Sequence, residues 1–190
     1  DSDDEYFPNR LEKCFNTLEK CSEKIAGVYS GCEFRRNGKR YHRHTNIQSG
    51  NFIVSTLAGT FMLGTGSNIF IRKTVVDEMS GFDESFLRHQ DTEFLVRLFE
   101  KYSLKAIPEV LVIKNNENLN LPDVKKMIDI KGQFLYKYKS IIQSLDVKDR
   151  SYIYQSHYVS IAEQAIKTNQ LSIADSYYLR AKEHGILTLR

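Results

Sequence analysis

The order of apolar patterns along the chain constrains its fold more than any other feature. Up to about residue 114, segments with the apolar spacing of helices alternate with short runs typical of strands, and beyond residue 120 only helical spacing remains. Such alternation predicts a sheet covered by helices. We therefore predict an α/β domain over residues 1–118 and a helical tail over residues 119–190.

The first helix is predicted from the spacing of its apolar residues. Pro8 suits the first helical turn, and Leu11, Phe15 and Leu18 recur on one face until about Lys24. A strand is then expected over residues 25–35, and the pair Asn37-Gly38 is a strong hairpin signal before a returning strand over residues 39–44. The tip of this hairpin is basic.

The uncharged stretch Thr45–Ile71 is long enough to be tested as a membrane span. Gly, Ser, Thr and Asn interrupt it, and both flanks are basic, so a buried strand with a loop is predicted instead. A break at residues 64–66 precedes a short strand over residues 68–71 and a helix over residues 73–79 that ends at Gly81.

A second amphipathic helix is predicted from Asp91, with Asp91 or Thr92 as its N-cap. The following apolar run is a strand pair or one kinked strand, in which Pro108 indicates an edge position. In the tail, Pro122-Asp123 marks a helix start, and two further helices are expected near residues 148–168 and 171–184. This last pair is similar to a single tetratricopeptide-type hairpin.

Composition excludes several classes of protein. The chain has 190 residues, 41% of them hydrophobic, and only 10 Gly and 3 Pro, which indicates a globular fold with a real core. Its three cysteines lack CxxC spacing, so neither a disulfide scaffold nor a zinc site is indicated. We expect a cytoplasmic protein.

The opening residues DSDD place three carboxylates in four positions. If they leave the end of a strand, Asp1 and Asp3 point the same way and suit a divalent cation whose other ligands are diphosphate oxygens and water. The alternative is an acidic flank that complements a helix dipole.

The segment DSDDEYFPNRLEKCF, followed about sixty residues later by GTGSNIFIRKTVVDEMSGFDESFLRHQDTEFLVRLFEKY, resembles the family 2 glycosyltransferases of GT-A fold. Residues 1–114 follow the family's order of motifs. The resemblance implies the C-terminal part of a Rossmann-like mixed sheet, and an inverting transfer of a sugar from a nucleotide-sugar donor, in bacterial surface polysaccharide synthesis.

The resemblance also implies roles for individual residues. Asp1 and Asp3 would hold Mn²⁺ or Mg²⁺, and Asp91 would be the catalytic base that removes a proton from the acceptor hydroxyl. Without the resemblance, Asp91 reads as a helix N-cap. Substrate contacts are expected from six further residues, with a solvated loop as the alternative for the last two: Asp4, Gly66, Ser67, Asn68, Arg88 and His89.

Two departures from the family pattern are visible. Gln90 stands where an acidic residue usually precedes the base, and Asn115 or Asn116 stands where some relatives supply a histidine metal ligand. We expect Asp83 to fix its turn and Arg97 to pair within the domain.

The family's nucleotide-binding strands precede the DxD motif, and the chain begins at that motif. We therefore expect this piece alone to be inactive, and to expose apolar surface or pair with a second copy.

No acidic residue lies between Glu33 and Asp77, although seven lysines and arginines do. This stretch and the basic tail suit a saccharide acceptor linked to a polyprenyl diphosphate, with peripheral contact at the inner membrane face, although a solvated hairpin is an equal alternative. Nucleic acid is not expected as a partner. The alternative function is a noncatalytic module in which the tail helices bind another protein.

Overall fold

A computed structural model of the protein describes residues 3–86, 90–116 and 123–185. These residues form a mixed α/β structure with five strands and eight helices. Two compact units are present, one formed by Asp1–Ile53 with Met62–Leu119 and the other by Val54–Phe61 with Asn120–Arg190. The second unit thus takes in a short segment from within the range predicted as the first domain.

The strands are β1 (Glu5–Tyr6), β2 (Ile25–Arg36), β3 (Lys39–His44), β4 (Phe70–Ile71) and β5 (Ser103–Asn115). The helices are α1 (Arg10–Glu19), α2 (Ile53–Leu57), α3 (Lys73–Glu78), α4 (Gln90–Phe99), α5 (Val124–Lys137), α6 (Lys139–Ser144), α7 (Val147–Lys167) and α8 (Leu171–Glu183). A 3₁₀ turn spans Gly66–Asn68.

The sheet is mixed and centres on β2 and β5, which run parallel. On the side away from β2, β5 pairs with the short antiparallel strand β1. Strand β2 also pairs antiparallel with β3 near its carboxyl end and with β4 near its amino end. The predicted α/β class with a mixed sheet is confirmed at this level. Parallel strands bring their carboxyl ends to one edge, and β1 joins that edge because Glu5 pairs with Ile113.

The hairpin predicted at Asn37-Gly38 is confirmed. Both residues have positive φ, 49° and 69°, as a two-residue turn between twisted antiparallel strands requires. The pairing register shifts between Phe34 and Arg35, so that Tyr41 is left without a partner residue in the ladder.

The first helix is present, but the prediction of its buried face is correct only for Leu18. Leu11 and Phe15 are 59% and 58% exposed, whereas Arg10, Cys14 and Leu18 are buried. These three lie at spacings of four residues and form one stripe along the helix. Cys14 and Leu18 pack on apolar side chains of β2 and β5, so the stripe that meets the sheet begins with a charged residue.

The prediction of a strand within the uncharged stretch is wrong for residues 53–57, which form the short helix α2. The predicted strand at residues 68–71 is present only as the two residues of β4, preceded by the 3₁₀ turn. None of the helices in the described ranges is long and apolar enough to cross a bilayer.

The run around Pro108 is the single strand β5, which lies between β1 and β2 in the sheet order, although β1 pairs with it only at Val112 and Ile113 and not at Pro108. Ile107 pairs with Ser30 and Val110 with Gly31, so two residues of β5 are skipped at the proline. A bulge tolerates proline because its missing N–H is not needed in the ladder there.

The second unit contains α5 to α8, and the helices expected in the tail are confirmed. Asp123 and Asp146 accept hydrogen bonds from backbone N–H groups of the first turns of α5 and α7, as N-caps do. Helices α7 and α8 form a hairpin whose small buried residues allow close approach. They include Ala162, Ala165, Ala174 and Ala181.

Candidate functional site

The turn at residues 64–68 is held in place from the core of the first unit. Asn68 is fully buried, and its Nδ2 donates to the carbonyls of Ser30 and Leu63 at 2.7 and 2.8 Å. Its Oδ1 accepts from the backbone N–H and the hydroxyl of Ser30 at 3.1 and 2.9 Å. The turn is therefore anchored to β2 by a side chain whose hydrogen-bonding capacity is used within the fold.

Arg10 is the second anchor of this turn and is only 1% exposed. Its guanidinium donates to Oδ1 of Asn68 at 3.1 Å and to the carbonyl of Ser67 at 3.2 Å, and it lies over the ring of Tyr6. Within the described ranges no carboxylate pairs with it, and its Nε has no acceptor. A buried cation without a counter-ion is costly and leaves a positive potential beneath the turn.

Carboxylates from two distant parts of the sequence meet at this turn. The hydroxyl of Thr65 donates to Oδ2 of Asp4, while a Cβ added to Gly66 would lie 3.6 Å from both Cβ and Oδ2 of Asp91. Gly66 is exposed and Asp91 is half-buried. Asp4 and Asp91 therefore lie next to consecutive residues of one turn, the buried Thr65 and the exposed Gly66, and a small polar ligand placed on Gly66 would reach Asp91.

Asp91 has a geometry that suits a carboxylate presented to a ligand. It lies in the first turn of α4, which begins at Gln90, so the helix starts before the residue predicted as its N-cap. Its Oδ1 accepts from the backbone N–H of Thr92 at 2.8 Å. This bond holds one oxygen and leaves Oδ2, the atom that lies near Gly66, facing the turn.

Asp3 is the described member of the predicted metal-binding pair. It is exposed, and its carbonyl accepts from Nδ2 of Asn115 at 2.7 Å. In the described ranges no group of three His, Cys, Asp or Glu side chains is gathered as a metal cage. The exposed carboxylate of Asp3 is nevertheless compatible with Mg²⁺ or Mn²⁺, because such ions commonly take one or two carboxylates and complete their shell with phosphate oxygens and water.

The structure gives different outcomes for the remaining predicted site residues. Asp1, Arg88 and His89 lie outside the described residues. The backbone carbonyl of Ser67 accepts a hydrogen bond from the hydroxyl of Tyr6 at 2.7 Å. Asn68 has a different role from the predicted substrate contact, since its complete burial makes it a support of the turn.

Two residues expected to serve the fold do so. Asp83 accepts from the backbone N–H and hydroxyl of Ser85 at 3.0 and 2.6 Å, which closes its turn. Arg97 pairs with the buried Glu93 and donates to the carbonyls of Met79 and Gly81. Neither is available as a catalytic group.

Cys32 is close to the site but is unsuited to nucleophilic chemistry. Burial, together with the nearby charge of Asp4, raises the pKa of its thiol to about 11. The thiol is therefore protonated at neutral pH.

A cleft of about 700 Å³ opens at the amino ends of β2 and β5, where Lys13, Lys20 and Lys105 contribute to its lining. Neither Asp4 nor Asp91 lines this cleft, so it is separate from the candidate site.

The sequence analysis missed Arg10 and Thr65. Arg10 stands four and eight residues before Cys14 and Leu18, so a stripe drawn through those two residues would have included it. Thr65 precedes Gly66, where its side chain also accepts from the backbone N–H of Ser67 at the start of the 3₁₀ turn. No simple periodic signal marks that position.

No protein-family model matches the chain, and no curated protein matches its sequence. The class defined by the fold is a mixed α/β protein with a five-stranded mixed sheet in the described residues.

Proposed function

We propose that the first unit is the metal- and acceptor-binding part of an inverting glycosyltransferase of GT-A fold. The observation that carries this proposal is the meeting of Asp4 and Asp91 at the Thr65–Gly66 dipeptide. The two carboxylates come from the two motifs on which the family resemblance rests. An arbitrary pair of acidic residues, 87 positions apart, has no reason to lie next to the same turn.

Each carboxylate has a distinct task in the proposed reaction. Asp91 accepts the proton of the acceptor hydroxyl as that oxygen attacks the anomeric carbon of the donor sugar. Asp3, together with Asp1, would hold Mg²⁺ or Mn²⁺, which when bound neutralises the charge of the leaving diphosphate. Asp4 orients Thr65 and so supports the turn that faces Asp91.

The donor is a nucleotide-sugar, and the acceptor is a saccharide or a saccharide linked to a polyprenyl diphosphate. The first unit carries the hydroxyl-activating carboxylate. A cytoplasmic location, with contact at the inner membrane face, follows from this choice of substrates.

The test is sugar transfer, or hydrolysis of nucleotide-sugars, by the complete native chain with Mg²⁺, with Mn²⁺ and with EDTA. Asp91→Asn should retain the fold, because an asparagine Oδ1 can still accept from the N–H of Thr92. It should lower turnover by at least about a hundredfold through loss of the base. Equal turnover in both proteins would remove Asp91 from its role.

The matched control is Asp77→Asn. Asp77 is an exposed carboxylate of α3 that pairs with Lys73 one helical turn away, an interaction worth at most about 0.5 kcal/mol. Its removal should leave turnover unchanged. Full activity in EDTA would contradict the assignment of Asp3 to a metal.

The alternative is a noncatalytic module that binds a protein through its helical tail. It is favoured by large apolar side chains that α7 and α8 leave exposed, among them Val147 at 68%, Ile166 at 60% and Leu179 at 61%. Two results together would favour this alternative. The complete chain would show no turnover, and residues 119–190, as part of that chain, would still bind another protein.

A further inference from the structure

A buried carboxylate on the β2–β3 hairpin is surrounded by three arginines. Glu33 is 3% exposed. Its Oε1 accepts from Nε of Arg35 at 2.8 Å, and its Oε2 accepts from Nε of Arg43 at 2.8 Å. Nη2 of Arg43 and Nη1 of Arg40 lie 2.7 and 3.8 Å from the same oxygen.

This cluster has an excess of positive charge. Burial on its own would raise the pKa of Glu33, but the hydrogen bonds from Arg43 and Arg35 outweigh it and hold the pKa below the usual value, so the group is ionised. Three guanidinium groups therefore face one carboxylate, which leaves a local charge of about +2. The absence of acidic residues from residues 34–76 means that the hairpin itself supplies no second counter-ion.

The guanidinium groups retain unused donors. Each guanidinium carries about five N–H donors in a fixed plane. In the described part of the chain, Arg35 commits one nitrogen to an acceptor, Arg43 commits two, and Arg40 lies beyond hydrogen-bond distance of Glu33. Arg40 and Arg43 are also 55% and 47% exposed, so their remaining donors reach solvent.

The arginine cluster lies on the sheet face away from the candidate site. Side chains alternate along a strand, so Glu33 and Arg35 point opposite to Ser30 and Cys32. Ser30 is the residue that contacts Arg10 and Asn68 beneath the turn. The cluster and the Asp4–Asp91 turn are thus separate sites on one sheet.

We propose that Arg35, Arg40 and Arg43 form a binding site for a phosphate monoester or diphosphate group, with Glu33 holding the guanidinium groups in position. Planar guanidinium forks bind phosphate oxygens in pairs, and groups held in place before binding lose less freedom when a ligand arrives.

This site does not depend on the proposed sugar transfer. The same phosphate chemistry can come from two sources. One is a diphosphate that is either soluble or carried by the acceptor, and the acceptor-borne form rests on the proposed function. The other is the headgroup of an anionic phospholipid. The two sources are separated by the probes used in the test.

The experiment measures binding of inorganic pyrophosphate to the chain by calorimetry, with EDTA present to exclude a metal-mediated contact. Arg40→Gln and Arg43→Gln should each weaken binding by about tenfold or more. The matched control is Lys39→Gln, which removes one positive charge from the same hairpin. Lys39 pairs with Arg36 and so points away from the cluster, and its loss should change affinity by less than about twofold.

Glu33→Gln distinguishes two possible effects of Glu33: it positions the arginines, or it only reduces the net positive charge of the cluster. If only net positive charge attracts the anion, neutralising Glu33 strengthens pyrophosphate binding. If Glu33 holds Arg35 and Arg43 in place, binding weakens, and we expect a loss of about fivefold or more. Thermal unfolding of the same protein checks that it is folded.

Vesicles containing phosphatidylglycerol form the second arm. Pyrophosphate binding without vesicle binding identifies a soluble or acceptor-borne diphosphate, and vesicle binding that Arg40→Gln abolishes identifies a lipid headgroup. Equal losses in Arg40→Gln and Lys39→Gln, or binding to neither probe, would overturn the proposed site. Asp91→Asn should leave all of these affinities unchanged, so failure of sugar transfer and failure of this site are distinguishable.

Discussion

Arg10 and Asn68 are joined inside the first unit by a hydrogen bond of 3.1 Å from Nη1 of the arginine to Oδ1 of the amide. The bond connects the start of α1 with the end of the 3₁₀ turn. Because Gly66 and Ser67 belong to the same turn, the geometry of the candidate site depends on this buried pair.

Asn68→Ala should destabilise the protein by about 3 kcal/mol, since it removes the acceptor of the buried Ser30 N–H, one acceptor of the buried Arg10, and a donor to the carbonyls of Ser30 and Leu63. Urea unfolding followed by circular dichroism measures this change. Asn16→Ala, an exposed asparagine of α1, should change stability by less than about 0.5 kcal/mol. Similar losses in both variants would contradict the anchoring role of Asn68.

Gly66→Ala should lower the rate of sugar transfer while leaving the stability of the fold almost unchanged. The backbone of Gly66 has no positive φ, and the added methyl group would lie in ordinary contact with Asp91 at 3.6 Å, so the free energy of unfolding should change by less than about 1 kcal/mol. Transfer by the complete native chain should fall by about tenfold or more, because the methyl group occupies the space beside the proposed base. A stable and fully active variant would show that an acceptor does not approach Asp91 over Gly66.

Gly132→Ala should stabilise the helical unit. Gly132 lies in the interior of α5, is exposed, and a Cβ placed there meets no atom within 4 Å. The free energy of unfolding should rise by about 0.5–1 kcal/mol, because alanine loses less backbone entropy in a helix. Gly81→Ala is the contrasting variant: its φ of 70° is unfavourable for alanine, so stability should fall.

Glu33 should make the stability of the protein depend on pH in the acidic range. Its folded pKa is held below the unfolded value of about 4.3, so its stabilising contribution is fully present above that pH and is lost as the pH falls through the folded pKa. Wild type should be more stable than Glu33→Gln at pH 7, and the difference should shrink below about pH 4. Thermal unfolding across this range measures it.

Glu12→Gln is the control for the pH series. Glu12 is an exposed residue of α1, and its variant should follow the wild-type profile. A constant difference between wild type and Glu33→Gln from pH 7 to pH 3 would show that the ionised carboxylate does not stabilise the hairpin.

Three features could be predicted from the sequence: the class of the fold, the β2–β3 hairpin and the helices of the tail. These features rest on local chemistry: Asn37 and Gly38 tolerate positive φ, and Asp123 and Asp146 cap helices with their own side chains. Apolar periodicity over α7 and α8 was likewise long enough to predict both helices.

Three features could not be predicted from the sequence: the buried face of α1, the bulge of β5 at Pro108, and the support that Asn68 gives to a turn. Each of these features depends on contacts between residues distant in the chain. Arg10 donates hydrogen bonds to Ser30 and Asn68, and the bulge of β5 exists only in its pairing with β2. The proximity of Asp4 and Asp91 to one dipeptide is of the same kind. Spacing along a chain sets which side chains share a face of one element, but contacts between elements are set by how those faces pack together.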